Sequence, residues 1–116
     1  MTIDDAWEIL RALQEAVDAG DRDALVALFH EDAVLIGTSA DARSREAVVA
    51  YLTAVADGDP FRWEYDSVVP FHDDGFAAFG ELVATGPDGE LRAPFRMTLV
   101  AVDGRIRSFH GSFPSG

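Results

Sequence analysis

Apolar residues recur at helical spacing in the first half of the chain and alternate at strand spacing in the second. Ile3, Ala6, Trp7, Leu10, Leu13 and Val17 share one face of a helix predicted over residues 3–18, and Asp4, Asp5, Glu8, Arg11 and Glu15 fall elsewhere. Thr2 is placed to cap it, and acids in its first turn suit the helix dipole. Ala19-Gly20 ends it, and Asp21 caps a short second helix from Arg22 to Phe29. His30-Glu31-Asp32 then leads into the apolar run Ala33-Val34-Leu35-Ile36-Gly37, which predicts a short strand. Ser44 begins a third helix with Ala47, Val48, Tyr51, Leu52 and Val55 on its apolar face, and Gly58-Asp59-Pro60 stops it.

After Pro60 the period changes to two. Phe61, Trp63 and Tyr65 alternate with Arg62, Glu64 and Asp66, the mark of a strand with one buried face. Asp73-Asp74-Gly75, Gly86-Pro87-Asp88-Gly89 and Asp103-Gly104 are hairpin turns that separate strands at 76–85, 91–102 and 105–113. Helices first and an antiparallel meander second predict an α+β fold with helices packed on one face of a curved sheet. The chain has 116 residues and shows no linker, repeat or low-complexity stretch, so it reads as one domain over residues 1–116.

Composition narrows the partners. Twenty-one acidic residues against nine basic ones give a formal charge of −12. Such a surface repels nucleic acid and anionic lipid, and neither is expected as a partner. All nine basic residues are Arg, a bias of overall composition that no single site would impose. Without cysteine there is neither a disulfide framework nor a thiolate metal site. The N-terminus lacks the basic and apolar regions of a signal peptide and no segment is long enough for a membrane span, so a cytoplasmic location is expected. His72-Asp73-Asp74 lies at a turn with no spaced partner, and no metal or cofactor is expected.

The order helix, helix, short strand, helix, four strands resembles the nuclear transport factor 2-like (cystatin-like) superfamily, and within it the SnoaL-like domains. The residues carrying the resemblance are Trp7, Gly20-Asp21 with Leu25-Leu28-Phe29, Asp32 through Gly37, Phe61-Arg62-Trp63, Pro94 through Thr98, and Phe109-His110-Gly111-Ser112. It extends over nearly the whole chain. The resemblance implies a cone, in which a bent sheet wraps a long helix and leaves a ligand pocket, and it implies a homodimer joined through the outer sheet face. Members include steroid isomerases, polyketide cyclases, dehydratases and epoxide hydrolases. Others only bind or assemble, such as the association domain of calcium/calmodulin-dependent protein kinase II, whose pocket is lined with Arg. The family's range leaves an enzyme, a binding module and an assembly module open.

Arg96 is the candidate that chemistry singles out. It stands in Phe95-Arg96-Met97-Thr98-Leu99-Val100-Ala101-Val102, a run with no other charge. A buried guanidinium needs an anionic partner, so an inward Arg96 implies a carboxylate-bearing ligand, whereas an outward one pairs with a carboxylate such as Glu81. The last hairpin decides its neighbours. A two-residue loop places Arg96 opposite Gly111, and a three-residue loop with a G1 bulge places it opposite His110, with Thr98 opposite Ser108. The second register is the expectation. It gathers Arg96, Thr98, His110 and Ser112 as ligand contacts and turns Phe95, Met97, Leu99 and Phe109 outward as an apolar dimer face. Trp63, Trp7 and Tyr51 complete the candidate site as aromatic walls. Thr98 stands where the resemblance implies an aspartate in the epoxide hydrolases, and residues 105–116 contain no acid, so catalytic residues are not assigned.

Overall fold

The computed structural model describes residues 2–37, 41–56, 61–71 and 74–112, with the side chains of 55, 56, 61 and 112 outside that set. Helix α1, Ile3–Ala19, starts with a capping box. The Thr2 hydroxyl accepts from the Asp5 backbone N–H at 3.1 Å, and the Asp5 carboxylate accepts from the Thr2 N–H at 3.2 Å. Gly20, at φ 61°, closes the helix in the left-handed conformation that favours glycine. Asp21 caps α2, Arg22–Leu28, by accepting from the Ala24 N–H, and Ser44 does the same for α3, Arg45–Ala56, through the Ala47 N–H.

The strands are β1 Phe29–Ile36, β2 Asp41–Ala42, β3 Phe61–Phe71, β4 Gly75–Gly86, β5 Gly89–Val102 and β6 Arg105–Ser112. They form one sheet in the order β2-β1-β6-β5-β4-β3. The helices pack on one side of it, which is the α+β cone expected from the order of elements. Two details differ from that expectation. Strand β1 begins at Phe29 rather than Ala33, since His30-Glu31-Asp32 is extended and bulged before pairing resumes at Val34. It also lies parallel to β6, so the first and last strands meet and the sheet is mixed.

Strand β3 carries a bulge, the device by which strands bend. Pairing of β3 with β4 slips at Asp66, between Tyr65↔Gly80 and Ser67↔Phe79. At that bulge the β3 backbone comes so close to Gly80 that a Cβ there would collide with the Glu64 carbonyl oxygen. Only glycine fits.

Alternation along the strands then sorts the two faces. Trp63, Tyr65 and Val68 on β3, Ala78 and Phe76 on β4, Phe95, Met97 and Leu99 on β5, and Phe109 on β6 turn toward the helices. There they meet Ala6, Leu10, Leu13 and Val17 of α1 and Val48, Val49 and Leu52 of α3 in a continuous core. The expectation that Phe95, Met97, Leu99 and Phe109 form an exposed outer patch is therefore corrected: all four are at most 7% exposed. The apolar stripes of α1 and α3 need an apolar partner, and this face of β5 is the one with no polar residue in it.

Candidate functional site

The last hairpin has a two-residue loop. Asp103 at φ 54° and Gly104 at φ 78° are both left-handed, as a type I′ turn requires, and Val102 faces Arg105. A bulge then leaves Arg107 unpaired in the ladder, and beyond it Val100 faces Ser108, Thr98 faces His110 and Arg96 faces Ser112. The three-residue register is thus corrected. Arg96, Thr98 and His110 do share a face, but it is the outer one, where Arg96 and His110 are exposed and Thr98 is half-buried. The inward Arg96 is corrected with it, because a strand that buries Phe95 and Met97 must turn Arg96 away from the helices. Nor is Arg96 directly opposite Glu81: Phe79 is opposite Arg96, and the ion pair of Glu81 is with Arg92, at 3.8 Å. The side chain of Ser112 lies outside the described residues, as do His72 and Asp73.

The aromatic candidates divide. Tyr51 is 41% exposed on α3. Trp7 and Trp63 both lie on the helix side of the sheet, half-buried. On the same side stands Tyr65, which is not among the candidates from the sequence. Its ring meets Trp7 edge-on at 5.7 Å between centroids and Phe95 edge-on at 5.6 Å, while Trp63 tilts against Phe109 at 6.5 Å. Gln14 of α1 fixes this wall to the helix. Its side-chain carbonyl accepts from the Trp63 backbone N–H at 2.9 Å, and its amide donates to Asp18 at 2.7 Å. Strand β3 is an edge of the sheet, so this N–H points away from β4 and would otherwise lack a backbone partner.

Tyr65 carries the polar anomaly of the interior. Its hydroxyl oxygen is fully covered and, among the described residues, has no hydrogen-bond partner. Burial also pushes the phenol well above its ordinary range, which keeps it protonated as a donor. An unmatched buried hydroxyl costs about 1–3 kcal/mol, so its presence calls for an explanation. The signal in the sequence is the alternation Phe61, Trp63, Tyr65: it places a hydroxyl on a face that is otherwise wholly apolar.

On the outer face, charges are matched across the strands. Glu64 receives Arg62 at 2.7 Å and Arg92 at 2.9 Å, and Glu90 and Glu81 extend the network. The two guanidinium groups hold the Glu64 carboxyl below its ordinary range, Arg92 the more strongly. Val83, opposite both arginines, is 1% exposed beneath them. Further along the same face Ile36, Val69 and Phe79 are 45%, 52% and 40% exposed.

One open groove of about 710 Å³ runs between α1 and the turns at Asp74 and Asp103, with Asp5 and Glu8 on its rim over Ile9 and Leu28. None of the six candidate residues whose side chains are described lines it. Among the described residues no group of His, Asp and Glu could hold a metal ion, and no helix is long and apolar enough to cross a membrane.

The same fold occurs in solved structures. An LEH-like epoxide hydrolase of Mycobacterium tuberculosis is 14% identical with a TM-score of 0.77, over 94% of this chain and 82% of that one. RV0760c from Mycobacterium tuberculosis, in complex with estradiol-17beta-hemisuccinate, is 21% identical with a TM-score of 0.76, over 92% of each chain. A putative polyketide cyclase from Sinorhizobium meliloti is 19% identical with a TM-score of 0.72, over 90% of this chain and 93% of that one. At such identities the likeness is one of fold. No curated protein matches the chain by sequence. Residues 10–109 match the SnoaL-like domain, and this span runs from the middle of α1 to Phe109 on β6. The chain belongs to the SnoaL-like domain family.

Proposed function

We propose that the chain binds a small, largely apolar molecule between α1 and the inner face of the sheet. The observation that carries this reading is the row Trp7, Tyr65, Phe95, with Trp63 and Phe109 beside it. Aromatic side chains offer broad apolar area at low entropic cost, and a partly buried row of them next to one polar group suits a small apolar ligand. The complex of RV0760c with a flat polycyclic ligand supports the same reading, through a fold this chain shares. Binding is favoured over proton-transfer catalysis by a second observation. Among the described residues no Asp, Glu or His is fully buried, so the interior offers no carboxylate or imidazole to take up a proton.

The test uses the two tryptophans in the wall. Titration with estradiol-17β-hemisuccinate and with uncharged flat polycyclic compounds is expected to give a saturable change in intrinsic fluorescence. The unfolding midpoint should rise with ligand concentration by mass action. If neither signal moves with any compound, the binding reading fails.

The outer face supports a homodimer. Ile36, Val69 and Phe79 are exposed on it, and the ion-paired end of the face lies next to them. A second copy related by a twofold axis would cover the apolar part. Light scattering at micromolar concentration is expected to give twice the chain mass, and Phe79→Glu is expected to give the monomer. A native monomer would remove this part of the proposal.

A further inference from the structure

The unmatched hydroxyl says more about the ligand than the aromatic wall does, provided that the wall binds a ligand as proposed. Tyr65 sits on β3 opposite Gly80, so no side chain from β4 faces it, and its ring is clamped edge-on by Trp7 and Phe95. Its oxygen is covered, yet no described group accepts its proton. Phenylalanine would fill the same space without stranding a polar atom. Among the described residues no Asp, Glu or Arg is buried, so nothing charged there could answer this hydroxyl or balance a charged ligand.

We infer that Tyr65 is the polar anchor of the site, and that its ligand presents an uncharged oxygen acceptor, of the ketone, ester or ether class, to the Tyr65 hydroxyl. A carboxylate is disfavoured in that position. It would be buried with one neutral donor and no cation, since Arg96, the basic residue that would have matched it, faces outward on the other side of the sheet. A neutral carbonyl has no such requirement, and one O–H donor satisfies it. Trp7, half-buried at the outer end of the row, is the side chain that a ligand displaces to reach the hydroxyl.

Three flat compounds of one shape separate the possibilities: fluorene, 9-fluorenone and fluorene-9-carboxylate. For native protein, fluorenone is expected to bind roughly three- to tenfold more tightly than fluorene, the value of one neutral hydrogen bond, with the carboxylate weakest. In Tyr65→Phe the preference for fluorenone should vanish, the two compounds binding about equally. The same variant, without ligand, is expected to unfold roughly 4 °C or more above native protein, because the stranded hydroxyl is gone. Equal affinity of native protein for fluorene and fluorenone would overturn the inference and leave the binding reading standing. So would a preference that survives in Tyr65→Phe. A lower unfolding midpoint for Tyr65→Phe would also overturn it, by showing that the hydroxyl has a partner within the protein. Binding of none of the three compounds would overturn both readings together.

Discussion

Glu64 and Tyr65 are neighbours on β3 and face opposite sides of the same sheet. The Glu64 carboxylate is held by two guanidinium groups within 3 Å, in reach of solvent. The Tyr65 hydroxyl is sealed among aromatic rings and, among the described residues, held by nothing. Folding alone accounts for the first arrangement, since matched charges at a surface cost little and shield the Val83 side chain. It does not account for the second, which lowers stability and persists. A polar group left unmatched where an apolar one would fit marks the face on which function is to be sought. Around Glu64 the outer face is finished as a surface, and around Tyr65 the core leaves one polar group unmatched.

The strongest challenge to this contrast is structural. If the bend at Gly80 is what turns one face into the interior, Gly80→Ala must fail to reach the native sheet, because its Cβ would meet the backbone of Glu64 and no side chain can move aside. A loss on the order of 4 kcal/mol or more is expected in urea unfolding. A near-native midpoint would mean that the sheet is not held bent at this point. Next in size, Leu99→Ala on the inner face should cost about 2–5 kcal/mol, whereas Arg96→Ala on the outer face should change stability by less than about 0.5 kcal/mol. Equal losses at the two sites would reverse the assignment of the faces.

The elements that can be read from the sequence are those whose signals are local. The cap at Thr2, the stop at Gly20, the cap at Asp21 and the Asp103-Gly104 turn all act within a few residues, and the structure uses each of them. The pairing of β1 with β6 joins residues more than 70 positions apart, and nothing in either strand announces its neighbour. The bulge at Arg107, on the strand between β1 and β5, is equally silent. The site is hidden for a different reason. Arg96 draws attention as the lone charge in an apolar run, but period-two alternation already places Phe95, Met97 and Leu99 on one face and Arg96 on the other. Parity outweighs charge in deciding which way a strand residue points. Tyr65 escapes notice because, within an apolar pattern, its hydroxyl carries no signal until the structure shows that it has no partner among the described residues.

The titration of Tyr65 sharpens the contrast in solution. Burial raises its folded pKa above the ordinary value of 10.0, so the folded state binds its proton more tightly than the unfolded state does. That contribution is complete below pH 10 and is lost as the pH rises further, by about 1.4 kcal/mol per pH unit until the folded pKa is reached. Tyr65→Phe should therefore show a shallower fall in stability above pH 10 than native protein. In Tyr51→Phe, where Tyr65 is the one remaining tyrosine of the chain's two, phenolate absorbance near 295 nm should appear only with unfolding. Phenolate growing in at about pH 10 in the folded protein would show the hydroxyl to be open to water.

The smallest expected effect tests the outer face by itself. Two roles are open to Arg92 there: its charge meets Glu64 and Glu90, and it stands opposite Val83, which is almost fully covered. Salt separates them. At about 1 M ionic strength the screening length falls to roughly 3 Å, so exposed ion pairs fade while packing is untouched. Arg92→Met keeps a long apolar stem and removes the charge, and its small deficit in unfolding midpoint at low salt should disappear at high salt. Arg92→Ala also uncovers Val83, so part of its deficit should remain. If both variants recover fully in salt, the arginines do not shelter Val83, and the outer face is held by charge alone. If neither recovers, the ion pairs contribute nothing measurable and the face is a packed surface like the inner one, which would remove the distinction between the surroundings of Glu64 and those of Tyr65.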